Sequence, residues 1–387
     1  MKKFNDSILI TLIAIICAFT AANMYYVQPL IPIIRDNLLV SSYEKASMLY
    51  SLSLVGNAVS LFFIIPLGDF YNKKRLIAIL YLISSLSLLV FFVCDNYYTL
   101  LLMSVFIGVG TSAIPLIIAG LSKKKNGTIY IGRIMAGILI GILFSRFLSS
   151  IFSKIWDWKS IYIISSILML FSGLFLLKNY SAPEITEKNM VKNYRDILCL
   201  NITGIIENGI IRYYCFNAFV IMFVFSAFWS NVSMFLTTSF NFSQSEIGVF
   251  SLVGIAGASS ALFSSYILKR INYKNKILYL LSVIALIIMV SSKRYILSTI
   301  IGALLIDAFI QLIHVNNQRN LYLSCKGNEA RAASCYMTSF IIGGAFGGFV
   351  SSYIYTIYGW SMVLMICSII SFVPVCLNPR ENSHEKH

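Results

Sequence analysis

Charge is what this sequence has least of. Only 12% of its 387 residues are Asp, Glu, Lys or Arg, about half the share of an ordinary soluble chain, while 58% are hydrophobic. That scarcity excludes a soluble globular fold. Acidic side chains are fewer still, 15 against 30 basic ones. The eight cysteines (Cys17, Cys94, Cys199, Cys215, Cys325, Cys335, Cys367 and Cys376) stand singly in apolar surroundings. With no CxxC pair among them, neither metal-ligand spacing nor a redox motif is present. No GxxxxGK[ST] run occurs, so the phosphate-cradling loop of a primary pump is missing. Of three histidines, His384 and His387 fall in the C-terminal tail, and no HExxH cluster exists to suggest a membrane metalloprotease. No metal, no cofactor and no enzymatic activity are expected.

What the chain has instead is length without charge. A membrane-spanning helix needs about 20 mostly apolar residues, and runs of that kind recur between short charged or turn-rich breaks. They predict helices near 7–32, 46–68, 75–94, 97–121, 131–153, 159–178, 213–236, 247–268, 277–292, 295–320, 331–357 and 360–377. The first 22 residues imitate a secretory signal, with Lys2 and Lys3, an apolar run from Ile8 to Phe19, and Thr20-Ala21-Ala22. The segment nevertheless continues through Tyr25, Tyr26 and Gln28 to Pro29 and Pro32, which suits a first helix that stays. The expected fold is an all-α membrane protein of twelve transmembrane helices in two six-helix bundles. Its expected divisions are 1–178, a cytoplasmic linker at 179–212, 213–378, and a tail at 379–387.

Most of the Lys and Arg residues fall in the N-terminus, the even-numbered loops and the tail. By the positive-inside rule both termini should be cytoplasmic, in a multi-pass protein of the cell inner membrane. The formal charge of +15 therefore reports orientation, and no nucleic-acid partner is needed to explain it.

At the end of the second helix stands Pro66-Leu67-Gly68-Asp69-Phe70-Tyr71-Asn72-Lys73-Lys74-Arg75, a carboxylate at a helix terminus followed by a basic cluster. This resembles the loop 2–3 signature of the major facilitator superfamily, although Ile65, Phe70 and Asn72 replace a glycine, an arginine and a second glycine of that pattern. The resemblance implies that Gly68, Asp69, Lys73, Lys74 and Arg75 form a latch holding helices together on the cytoplasmic side. The corresponding place in loop 8–9 has Lys269 where an aspartate would stand. A resemblance to bacterial facilitators grouped with drug and sugar efflux proteins runs over nearly the whole chain. It rests on Tyr25 to Leu30, Gly137 to Arg146, Phe225 to Trp229, Asn316-Asn317-Gln318, Tyr336-Met337 and Gly343-Gly344-Ala345. The arginine that proton antiporters of that group carry four residues before a helix 4 glycine is here Ser104, before Gly108, and their helix 5 Gly-Pro pair is Gly141-Ile142.

A charge at bilayer depth costs at least about 2.5–3.5 kcal/mol on insertion scales and so faces a cavity or a partner. One acidic residue, Asp307, falls near a helix centre. Gln311, His314 and Gln318 follow at spacings that share its face. The resemblance implies that this tenth helix lines a central cavity. Asp307 is thus the candidate proton-coupling residue, with His314 as relay or gate and Gln311 between them; interhelical packing is the structural alternative. Arg146, deep in the fifth helix, could balance Asp307 across the halves, bind an anionic substrate or cap a carbonyl. Asn23, Tyr25, Tyr26, Gln28, Asn217 and Trp229 are candidate cavity residues for their hydrogen bonds and ring faces. Glycines 132, 137, 141, 343, 344, 347 and 348 predict close helix packing.

The function expected is a monomeric secondary transporter that moves a small organic molecule (a drug, sugar, siderophore or metabolite) by alternating access, as proton-coupled efflux. Uptake symport or uniport on the same fold is the nearest alternative, and a membrane sensor or partner-binding protein a further one. Substrate, proton and lipid bilayer are the partners this reading requires.

Overall fold

The computed structural model describes residues 6–38, 42–122, 126–180, 208–271, 275–290, 295–325 and 329–377, with a few positions between 194 and 206. Most of the expected 179–212 linker, the 379–387 tail and Cys199 lie outside the described residues. Among the described residues ten helices are long and apolar enough to cross a membrane, and a bent pair and one shorter apolar helix complete the set. In chain order α1 spans Asp6–Asn37, α2 Tyr43–Asp69, α3 Lys73–Val93, α4 Tyr97–Leu121 and α5 Gly127–Ile155. They are followed by α6 Ser160–Asn179, α7 Gly209–Phe240 and α8 from 244 to 270, the last in consecutive pieces. The set ends with α9 Asn275–Ile288, α10 Ile296–Ser324, α11 Glu329–Tyr358 and α12 Trp360–Cys376.

The connections are short because polar caps close them. Asn72 accepts from the backbone N–H groups of Lys74 and Arg75 and so starts α3, which gives a physical reason for asparagine where the family pattern has glycine. Asn96 and Asn208 do the same for α4 and α7. Ser243 and Glu246 form a capping box at α8. Asn241, with φ 53°, ends α7, and Gly359, with φ 76°, separates α11 from α12.

Packing follows the glycines. A Cβ on Gly141 would lie 2.2 Å from the Ala18 carbonyl oxygen, and one on Gly137 2.7 Å from that of Ala14, so α5 touches α1 backbone to backbone. Gly343 and Gly347 press α11 against Phe219 and Phe223 of α7 in the same way. Gly344 and Gly348 meet Leu54, Tyr50 and Ser51, so α11 also seats α2, from the other half of the chain. Gly132 is a correction: nothing stands within 4 Å of its would-be Cβ, and it takes no part in the seam. In the outer layer α3 packs on α6 through reciprocal bonds, Ser85 Oγ to Ser166 O at 2.8 Å and Ser166 Oγ to Ser85 O at 2.7 Å.

Candidate central site

The site begins with two prolines. Pro29 and Pro32 lack the N–H groups that would bond to the carbonyls of Tyr25 and Gln28. α1 is accordingly broken between Ala22 and Val27, its turn held by three-residue bonds such as Tyr25 N to Ala22 O at 2.9 Å and Gln28 N to Tyr25 O at 3.2 Å. The carbonyl freed at Gln28 accepts from Ser233 Oγ of α7 at 2.9 Å, and that of Pro29 from Gln244 Nε2 of α8 at 2.8 Å. The break thus turns backbone groups of the first half toward the second.

At this break a chain of four side chains crosses between the halves. Arg146, 2% exposed, donates from Nε to Gln28 Oε1 at 2.7 Å. Its guanidinium carbon lies 4.0 Å above the Trp229 ring, with Phe225 at 5.3 Å and Tyr25 at 5.5 Å. Trp229 in turn donates from its indole N–H to Asp307 Oδ1 at 2.9 Å. Asp307 is 5% exposed and faces Gly254 and Gly257 of α8, whose missing side chains leave room for it. Arg146 and Asp307 form no direct ion pair; the indole lies between them, its face to the cation and its N–H to the anion. Each charge is held by a group that suits it, since a π face attracts a cation and a charged acceptor strengthens a hydrogen bond.

A small void of about 10 Å³, room for about one water, adjoins Arg146 and is lined by Gln28, Trp229, Ser233, Phe250 and Ser251, among others. Formed ligand pockets hold roughly 300–1,000 Å³, so the site is nearly closed in this conformation. Above it the halves meet through Tyr50 OH with Ser226 Oγ at 2.9 Å, Gln244 Nε2 with Ser150 Oγ at 3.3 Å, and Lys154 Nζ with Ser245 Oγ at 3.1 Å.

The remaining candidates divide. Tyr25 joins the cluster and faces Tyr50, centroids 6.0 Å apart. Asn23 lies in the α1 break, 1% exposed, with neither amide atom hydrogen-bonded. Tyr26 turns instead into the first half, its OH accepting from Ser165 Oγ at 3.0 Å and its ring edge-on to Tyr162. Asn217 is three turns from Trp229 along α7; it donates to the Tyr213 carbonyl and accepts from Tyr279 OH of α9, both at 2.7 Å. Gln311 is half-buried one turn beyond Asp307. His314 faces α11, with Nδ1 3.1 Å from Tyr336 OH and its ring 4.5 Å from that of Phe340. In the loop expected to act as a latch, Lys73 Nζ approaches Asp69 Oδ1 at 3.5 Å, and Gly68 is buried where a Cβ would meet Leu116 of α4 at 2.7 Å. Lys74 is half-buried and Arg75 exposed, and Tyr194 closes over the loop through the Phe70 ring and the Phe63 carbonyl.

Sequence reasoning did not find Tyr50, Ser226, Phe250 or Gly254. Tyr50 sits in a run indistinguishable from lipid-facing helix, and only its partner across the halves marks it. Phe225 and Ser226 had a signal, since they belong to the run ending in Trp229.

Comparison with known proteins agrees with this architecture. The family model described as "Major Facilitator Superfamily" matches residues 12–312 and 214–384. The chain belongs to this superfamily. It is 28% identical over 383 residues to a protein of Escherichia coli O157:H7 described as "Uncharacterized transporter YgaY", covering 96% of each chain. It is 22% identical to "Probable transporter SCO4007" of Streptomyces coelicolor, over 92% of this chain and 83% of that one. Among solved structures, the nucleoside transporter NupG superposes with a TM-score of 0.77 at 14% identity, over 95% of this chain and 98% of that one. A bacterial homologue of the human lysosomal transporter Spinster, solved inward-facing, superposes with a TM-score of 0.71 at 12% identity, over 95% and 94%. The twelve-helix facilitator fold and a transporter role, rather than an enzymatic one, follow from these matches.

Proposed function

We propose that this facilitator is a proton-coupled secondary transporter of a small organic solute, with Asp307 as the residue that takes up the coupling proton. The observation that carries the reading is the Trp229 bridge: one side chain holds Asp307 of the second half and Arg146 of the first. Ionised, Asp307 receives a charge-assisted bond from the indole; protonated, it is a weaker acceptor by about 1 kcal/mol. Protonation therefore loosens Trp229 and, through it, the stacking on Arg146 that joins the halves. Arg146, Tyr25 and Tyr50 are the charged and titratable groups around that bridge, while His314, on the Tyr336 side of α10, acts as a gate between α10 and α11.

The two six-helix units, 1–178 and 213–378, rock about the centre to give alternating access. With both termini placed in the cytoplasm by the positive-inside bias, the contacts of Gln28, Pro29, Ser150 and Lys154 with α7 and α8 lie on the external side. The conformation is then closed outward, and the loop of Asp69 to Arg75 is the cytoplasmic latch. The protein works as a monomer in the cell inner membrane. Export, expected from the efflux-like resemblance, and uptake differ in one physical respect: whether proton and solute compete for the site or share it.

The test is reconstitution into liposomes under an imposed pH gradient, with a pH-sensitive dye inside and a solute panel outside. The native protein should couple solute addition to proton movement, and Asp307→Asn should bind the same solute without moving protons. Full coupling in Asp307→Asn would assign Asp307 a packing role and sink the proposal.

A further inference from the structure

We infer that the solute is an organic anion whose carboxylate is held by Arg146 and Gln28, and that it crosses the membrane together with a proton. The inference rests on the reading of Asp307 as the coupling residue for its second half only.

The hydrogen bond from Arg146 Nε to Gln28 Oε1 fixes the amide, because only the oxygen can accept. Gln28 Nε2 is thereby left as a donor, and it is buried with no partner, as is Arg146 Nη2. Both belong to side chains that line the void and are at most 2% exposed. Unpaired buried donors are uncommon and costly, more so when charged. The other polar side chains lining that void are already turned elsewhere: Ser233 Oγ donates to the Gln28 carbonyl and Ser251 Oγ to that of Ile247. Nothing lining the void carries negative charge. Two donors, one of them cationic, thus lie buried on side chains that border this void and lack an acceptor.

Rings approach the guanidinium from Trp229, Phe225 and Tyr25. Besides these rings the guanidinium keeps an unpartnered Nη2, and an edge is what a planar carboxylate engages. Phe250 and Trp229 supply apolar walls for the rest of a small molecule. A cationic solute would meet the Arg146 charge in a water-poor site with nothing in contact to offset it.

The charge arrangement also sets the sense of coupling. An ionised Asp307 on the far side of the indole competes with the bound anion for the field of Arg146. A proton on Asp307 removes that competitor, so proton and anion each strengthen the binding of the other, as linkage requires. Ligands that bind together travel together, which is symport; exchange would require them to exclude one another.

The experiment uses purified full-length protein and two probe sets of shared skeleton: benzoate, benzamide and benzylamine, and propionate, propionamide and propylamine. Binding is read by ligand-induced shifts in thermal unfolding, at acid and at alkaline pH. The native protein should prefer a carboxylate member, and Arg146→Gln should lose that preference with an affinity drop of tenfold or more. Gln28→Glu guards against a folding defect, since its carboxylate pairs with Arg146 in place and should abolish anion binding in an intact protein. Absence of a carboxylate preference in the native protein, or its survival in both variants, overturns the inference. The acid strengthening of carboxylate binding should vanish in Asp307→Asn. If it persists while the preference itself depends on Arg146, the anion site stands and the coupling role of Asp307 falls. If Asp307→Asn uncouples protons from a neutral or cationic solute, the reverse holds.

Discussion

Replacing Trp229 with phenylalanine is the sharpest test of the bridge, because it keeps a ring beneath Arg146 and removes only the indole donor. Two losses can be sized. The N–H bond to Asp307 Oδ1, at 2.9 Å, is of the kind that contributes about 1.5–3 kcal/mol when one partner is charged. Phenyl also attracts a cation less than indole does, by an amount within about 1 kcal/mol. The sum is about 1.5–4 kcal/mol, and at 1.4 kcal/mol per factor of ten the initial rate of proton-coupled flux should fall at least about tenfold. Tyr50→Phe is the matched control. It deletes a neutral hydroxyl pair with Ser226, for which about 0.5–1.5 kcal/mol applies, so its effect should stay below about tenfold. Flux would be measured in proteoliposomes matched for protein content. Because Asp307→Asn is expected to move no protons, the double variant is read by thermal unfolding, where adding Trp229→Phe to Asp307→Asn should cost much less stability than it does alone, the charged acceptor being already gone. Equal flux losses for the two aromatic variants, or additive stability losses for Trp229→Phe and Asp307→Asn, would refute the bridge.

Gly141→Val should lower the thermal midpoint in detergent, by an overpacking cost of about 1–3 kcal/mol or more, since its Cβ would lie 2.2 Å from the Ala18 carbonyl. Gly132→Ala, with nothing near it, should leave that midpoint level or raise it, and similar losses for both would undo the α1–α5 seam. Cysteines placed at Lys154 and Ser245, side chains 3.1 Å apart, in a background without the native thiols, should accept a short cleavable cross-linker. Transport should stop on linking and return on cleavage, and unaffected flux would mean that the halves do not part there. Asp69→Asn should leave thermal stability almost unchanged, because its ion pair with Lys73 is half exposed and such pairs contribute at most about 1 kcal/mol. It should slow transport nonetheless; normal flux would remove the latch role.

Twelve spans were legible because hydrophobic length and charge breaks report lipid exposure, which is a property of each segment alone. The ends were less so: α7 runs from Gly209 to Phe240 where hydropathy suggested 213–236, since polar caps and end turns extend a helix beyond its apolar stretch. Arg146, Trp229, Gln28 and Asp307 could each be singled out by the cost of polar groups in a membrane. A balance between Arg146 and Asp307 could be raised as one option, but the indole between them and the Gln28 contact could not, because these depend on the break in α1 and on which way each helix faces. Asn217 has the same credentials in sequence as Gln28, yet it turns to Tyr279 of α9. Likewise Gly132 and Gly141 are equivalent as letters, and only the neighbour α1 distinguishes them.

The contacts that join the halves beside the central cluster are of a strength that suits reversible opening. Gln28, Pro29 and Tyr50 bond across the halves to Ser233, Gln244 and Ser226, and Lys154 bonds to Ser245. Among the described residues no ion pair crosses: Arg35 pairs with Asp36, Lys73 with Asp69 and Lys159 with Asp95, all within the first half. Such hydrogen bonds contribute about 0.5–1.5 kcal/mol each, a few kcal/mol together. One unit of pH difference supplies about 1.4 kcal/mol per proton, and a solute bound with micromolar affinity about 8 kcal/mol. Opening therefore lies within reach of one proton and one solute acting on opposite sides of Trp229. An interface stitched by buried ion pairs, each costing about 3–5 kcal/mol to break, would hold the two halves shut against the same load.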